Sequence, residues 1–185
     1  IRNTSGRARR LSVTAYVEWV LGPSRSASAL SIVTESDPET GAMFARNPWN
    51  ATFGSRVAFA DLGGRQTAWT GDRREFLGRN GTLDSPAALA GAAELSRRVG
   101  AGLDSCGALQ ASVELEPDGA MEIVFLLGEA ATAAVVEKLV RTDEPAFEDQ
   151  VNAVDVFVRR ADGSGISGAG NVVDFLVAHD LLPLT

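Results

Sequence analysis

At 185 residues, 45% of them apolar and 22% charged, the chain has the composition of one globular domain, or one with an appendage. A net charge of −7, with Lys138 the sole lysine, excludes a protein that binds nucleic acid by neutralising phosphates. One cysteine (Cys106) and one histidine (His179) exclude an intramolecular disulfide and a Cys/His zinc site, so neither metal nor cofactor is expected.

No apolar run approaches the roughly 18 residues of a membrane span. The chain opens on Ile1 without a signal-peptide pattern, and reads as a piece of a longer protein from a reducing compartment. The first element in chain order is "RLSVTAYVEWV", Arg10 to Val20. Leu11, Val13, Ala15, Val17 and Trp19 fall on one face, and Ser12, Thr14, Tyr16 and Glu18 on the other, the signature of a strand closed by a turn at Gly22. Further strands are predicted at Ala29–Glu35, Gly41–Asn47, Ser55–Leu62 and Arg65–Gly71, separated by Pro-, Asn-, Asp- and Gly-bearing turns. Short strands punctuated in this way predict an antiparallel sandwich or barrel.

The next stretch, "GDRREFLGRNGTLDSPAAL" (Gly71–Leu89), has neither strand alternation nor a helical stripe, and it is crowded with ionic groups. It reads either as a sugar- or partner-contacting loop or as an ordered loop whose arginines pair with Asp72, Glu75 and carbonyls. In the second reading Phe76 and Leu77 plug the sandwich edge, and Gly78 and Gly81 supply positive φ. Ser85–Arg98 is either a short helix capped by Ser85 or an extended excursion. Two alternating runs follow, Gly107–Pro117 and Ala120–Ala130. The Asp118-Gly119 pair between them predicts a β-hairpin.

Beyond Glu129 the spacing turns helical, through Val135 and Leu139 and then Phe147, Val151, Val154 and Val158. A Gly/Ser linker then leads to a last helix, capped by Asn171 and ended by Pro183. The expected fold is mainly β: an antiparallel sandwich over 1–130, linker helices over 131–160, and a linker with an atypical helix over 161–185.

Four separated segments carry a resemblance: "NTSGRARRLSVTAYVEWVLG", "ARNPWNATFGSRVAFAD", "TGDRREFLGRNG" and "GLDSCGALQASVELEPDGAMEIVFLLGEA". Together they resemble the β-supersandwich (mutarotase-like) domain of glycoside hydrolase family 94. The likeness is greatest to the phosphorylase module of bacterial cyclic β-1,2-glucan synthases, with cellobiose and chitobiose phosphorylases more distant. It runs from Ile1 to about Val156. It implies a further sandwich portion ahead of Ile1, and an (α/α)6 barrel after the linker that holds the phosphate site and the catalytic aspartate. The ending "RRADGSGISGAGNVVDFLVAHDLLPLT" does not resemble that continuation and reads as a foreign or frameshifted one.

The resemblance further implies a bacterial cytoplasmic protein, or the cytoplasmic face of a membrane-bound synthase. Its implied partners are a β-glucan or other oligosaccharide, bound weakly or indirectly, the barrel domain, and a second copy in a homodimer.

Inverting phosphorolysis needs a carboxylic acid at the glycosidic oxygen and a cradle for the attacking phosphate. The chain has no phosphate-binding Gly-rich loop and no paired acid beside one, so no residue is nominated as catalytic, and the chain alone is not expected to be an enzyme. A mutarotase-like enzyme would need a His at a sugar cleft, and His179 lies outside the β region.

Six residues are candidates for substrate contact. Asp72, Arg73 and Arg74 offer bidentate hydrogen bonds, and Trp69 a stacking face. Trp49, in "NPWNATFG", is either a platform for a pyranose or a cover on the core. Arg25, in "GPSRSASA", is nominated by the resemblance, since a loop at the corresponding place in cellobiose phosphorylases reaches the partner's active site; its alternative is a solvated turn arginine. Cys106, Gln110 and Trp19 read as structural. The alternative to carbohydrate association is a scaffold that binds no sugar.

Overall fold

A computed structural model describes residues 1–90 and 94–133, together with the backbone of 155–160 and 165–171. The chain is mainly β, in two antiparallel sheets consistent with a sandwich. β1 (Arg9–Glu18) lies between β6 (Ser105–Leu115) and β8 (Asp155–Arg160); β5 (Ala68–Asp72) and β9 (Gly165–Asn171) complete this five-stranded sheet. The second sheet runs β2 (Val33–Ser36), β3 (Met43–Arg46), β4 (Val57–Asp61), β7 (Leu126–Ala130).

The alternation of β1 places its two faces in different environments. Ala15, Val17 and Trp19 pack with Leu109 and Ala111 of β6 against Met43, Ala45 and Ala60 of the second sheet, forming the inter-sheet core. Leu11 and Val13 extend it with Val113 and Leu115. The opposite face is buried as well, since Tyr16, Ala68, Cys106 and Ala108 are roofed by Phe76, Leu77 and Leu95. The β1–β6 ladder is thus enclosed on both sides toward its Glu18↔Cys106 end, while Arg10, Ser112 and Glu114 leave the outer face open at the other.

Several expectations are corrected. No hairpin joins the runs on either side of Asp118-Gly119. A turn does form there, with Asp118 at φ +59° and the Gly119 amide donating to the Glu116 carbonyl at 2.9 Å. The chain then crosses over, and β7 pairs with β4. β6 is laddered along its length to β1, and to β5 over Ser105–Gln110, so its partners are strands distant in sequence.

Ala29–Glu35 becomes a strand only from Val33. Ser24 caps a helical turn, α1 (Arg25–Ser28), and a 3-10 turn follows at Ala29–Ser31. Ser85–Arg98 is helical, among its described residues, over α3 (Ala87–Ala90). Its C-terminal part is a strap across both sheet edges: the Arg97 amide donates to Trp69 O at 2.7 Å, Gly71 to Arg98 O at 2.7 Å, and Thr34 to Gly100 O at 3.1 Å. Backbone amides left by β5 and β2 outbid the helix.

The predicted linker helices over 131–160, and the linker and atypical helix over 161–185, lie mostly outside the described residues. Within that region, Asp155–Arg160 and Gly165–Asn171 are strands rather than helix and linker. "DVFVRR" sets β-branched and aromatic residues in a row, and the free edge of β1 offers them a ladder.

Candidate functional site

The outer face of β1 ends in Tyr16 and Glu18, and the ionic stretch folds onto them. Asp72 caps α2 (Arg73–Leu77), its carboxylate accepting from the Arg74 amide at 3.0 Å. Gly78, at φ +89°, ends the helix, and its amide donates to Arg74 O at 3.0 Å. Gly81 does not take positive φ. Its role is close approach, because a Cβ there would lie 1.6 Å from the Leu77 carbonyl oxygen.

This one turn sends Phe76, fully buried, onto Tyr16, with ring centroids 4.8 Å apart and planes 17° from parallel. It also sends Arg73 into a network of four charges. Arg73 Nε donates to Glu18 Oε1 at 2.7 Å, Arg25 Nη1 donates to Glu18 Oε2 at 3.0 Å, and both arginines meet Asp104. The Tyr16 hydroxyl donates to Glu18 Oε1 at 2.8 Å.

The electrostatics follow from that packing. Burial alone would push the Glu18 carboxyl up. Hydrogen bonds from Arg73 and Tyr16, with the Arg25 charge, outweigh it and hold the group below its ordinary value. Arg73 is raised chiefly by its bond to Glu18. Burial above all, with the Cys106 thiol, raises Tyr16; burial also raises Cys106 well above the ordinary thiol range. Both stay neutral, and Cys106 donates weakly to Thr70 O.

Beside the network opens a cleft of about 690 Å³. Its floor is α2 and the end of β5 (Asp72, Arg74, Glu75), its wall is the strap (Ser96, Arg98, Gly102, Leu103, Asp104), and its lip is Ala29 and Leu30. The carboxylates are already engaged. Asp72 meets Arg98 at 3.2 Å, Glu75 accepts from Thr70 Oγ1 at 2.6 Å and from the Ser96 amide at 2.7 Å, and Asp104 holds the two network arginines. Arg74 is the exception: its guanidinium is exposed and has no hydrogen-bond or ion-pair partner among the described residues. The cleft therefore offers donors and a polar rim, and among the described residues its carboxylates are all engaged.

Of the six candidates, four stand in the cleft lining or in the network behind it. Asp72 and Arg74 line the cleft, while Arg25 and Arg73 are tied into the network behind it. The arginine pairing expected inside the loop is replaced by longer connections: Arg73 pairs with Glu18 and Asp104, and Asp72 with Arg98. Trp69 faces the inter-sheet core, with the Arg97 guanidinium 5.3 Å above its ring. Trp49 is 83% exposed and does not cover the core. Its loop belongs to the cleft end, because Asn47 Nδ2 donates to Leu21 O at 2.9 Å, just ahead of α1 and the lip. Leu30, at 87%, is as exposed as Trp49.

Sequence reasoning missed Glu18, Asp104, Arg98 and Leu30. The strand pattern set Glu18 on the face opposite Leu11, Val13, Ala15, Val17 and Trp19, and only the position of Arg73 over that face reveals its role.

Residues 1–144 match the family model of the glycosyl hydrolase 94 supersandwich domain. The chain belongs to glycoside hydrolase family 94. It is 37% identical over 143 residues to the cyclic β-(1,2)-glucan synthase NdvB of Rhizobium meliloti (strain 1021). That alignment covers 75% of this chain and 5% of the relative, so the chain spans a small part of the relative's length. Among the described residues, no helix is long and apolar enough to cross a membrane.

Proposed function

We propose that this chain is the carbohydrate-associated sandwich of a cyclic β-1,2-glucan synthase-like or glycan phosphorylase protein. It has no catalytic centre of its own; its cleft end shapes the substrate site of an (α/α)6 barrel and the contacts of a dimer. The whole protein would act in the bacterial cytoplasm or at the cytoplasmic face of a membrane-bound synthase.

One observation carries the reading: the unpaired Arg74 guanidinium stands in a polar cleft lipped by exposed Leu30, at the end of the sandwich that also presents Trp49. An oligosaccharide presents vicinal hydroxyls to an arginine fork and C–H faces to an indole. Arg25 serves in this reading as a brace, holding Glu18 and Asp104.

The test is calorimetric titration with linear β-1,2-glucan and cello-oligosaccharides. Millimolar binding is expected, about −4 kcal/mol, weakened in both Trp49→Ala and Arg74→Ala. Binding that survives both substitutions would remove the cleft end from the account. Phosphate release or uptake by the chain with β-glucosides should stay at background; carboxylate-dependent turnover would show a catalytic centre.

A second reading is a scaffold that docks on the barrel without touching sugar. Exposed Leu30, Trp49 and Phe53 favour it, since large apolar side chains in water also suit a protein contact. No titratable binding of either glycan would leave this reading standing.

A further inference from the structure

The run "AMEIVFLLGEA" alternates as a full strand, yet only Leu126–Ala130 is laddered, to β4. Residues 121–125 are nevertheless held in place. Met121 and Ile123 pack on one part of the core, and Ile123, Phe125 and Leu127 on another.

What meets this segment is the chain's beginning. The Ile1 nitrogen donates to Met121 O at 2.8 Å and the Met121 amide to Ile1 O at 2.9 Å; Arg2 bridges Ala120, and the Asn3 amide donates to Gly119 O at 2.8 Å. These three pairs share one antiparallel register. In an extended chain, successive residues turn their N–H and C=O groups to alternate edges. The edge that Met121 presents to Ile1 is therefore also that of Ile123, Phe125, Leu127 and Glu129, while Leu126, Gly128 and Ala130 turn toward β4. Apart from the β4 ladder, no backbone hydrogen bond among the described residues reaches 122–129. The row contains no proline and no lysine, the usual guards of an open edge.

We propose that the outer edge of 122–129 accepts an antiparallel strand, supplied by polypeptide joined ahead of Ile1. Two observations select this occupant. The Ile1–Asn3 pairing already sets the first rungs and the direction, and this chain spans only 5% of the relative, in which ample polypeptide lies outside the matched region. The register places the second, fourth and sixth residues ahead of Ile1 opposite Ile123, Phe125 and Leu127. Cross-strand neighbours share a face. Those three residues are therefore apolar, covering the core against which Ile123, Phe125 and Leu127 pack, while the residues between them are polar.

The test compares amide hydrogen exchange in this chain and in one lengthened by about eight residues from its own reading frame. Exchange at Ile123, Phe125 and Leu127 should slow by about a hundred-fold in the longer chain, with Gly128 and Ala130 unchanged. A Gly/Ser extension of equal length should give no such slowing. Unchanged exchange in the longer chain would overturn the proposal. So would equal slowing in the short chain at raised concentration, because a second copy would then be the occupant.

Discussion

Two loops close the same end of the sandwich, and their composition misleads about their roles. The stretch after β5 is dense in charge, which by composition alone suits a surface, yet Asp72, Arg73 and Glu75 each find a partner and Phe76 is fully buried, as in the ordered-loop reading. The loop after β3 carries Trp49 and Phe53, residues that usually seal a core, yet they stand 83% and 58% exposed. The difference lies in local geometry. A capped helical turn aims Arg73, Phe76 and Leu77, at i, i+3 and i+4, at the sheet, whereas the Asn47 and Asn50 side chains bond amides of their own loop and leave the aromatics outside. An ionic loop can be structural, and an aromatic one can be available for contact.

The contrast breaks most sharply at Phe76. Phe76→Ala removes a buried ring stacked on Tyr16, and should cost about 3–5 kcal/mol, read as a large fall in the denaturation midpoint. Arg73→Ala comes next. It strips Glu18 and Asp104 of one cation in a partly buried network, at about 1–3 kcal/mol by the same measurement.

Acid should act on the same place. Because Glu18 is held below its ordinary value, its stabilisation is complete above the unfolded carboxyl range and is lost as pH falls through the lowered value. Melting curves from pH 7 downward should show a loss in the native chain that is smaller in Glu18→Gln. Equal acid sensitivity in both would place the titrating group elsewhere. Asp61 works in the opposite sense. Burial raises its carboxyl, against the Gln66 and backbone hydrogen bonds, so its contribution is fullest in acid and declines as pH rises through the raised value.

The smallest effects belong to the exposed side chains. Trp49→Ala and Arg74→Ala should each shift stability by less than about 0.5 kcal/mol. A large melting shift in Arg74→Ala would mean that its guanidinium braces the loop.

The sandwich was legible because strand period and turn residues agree over β1 and β3–β6. The Asp118-Gly119 turn was legible too, but its consequence was not: local turn chemistry cannot say that the chain crosses over to pair Leu126–Ala130 with β4. The strap was hidden for the same reason, since "LSRRVG" is drawn straight by amides of Gly71 and Thr34, far away in sequence. Of the site, Asp72 and Arg74 could be read from "GDRREFLG", while Glu18, Asp104 and Leu30 are brought in by chain crossings with no local signature.

The central claim, that the cleft end meets carbohydrate, is tested most directly by NMR titration with linear β-1,2-glucan, following the Trp49 indole and the Arg74 guanidinium. The account predicts concentration-dependent shifts at both, with the buried Trp19 indole and the Arg73 signal unmoved. Silence at Trp49 and Arg74 under glucan excess would contradict it.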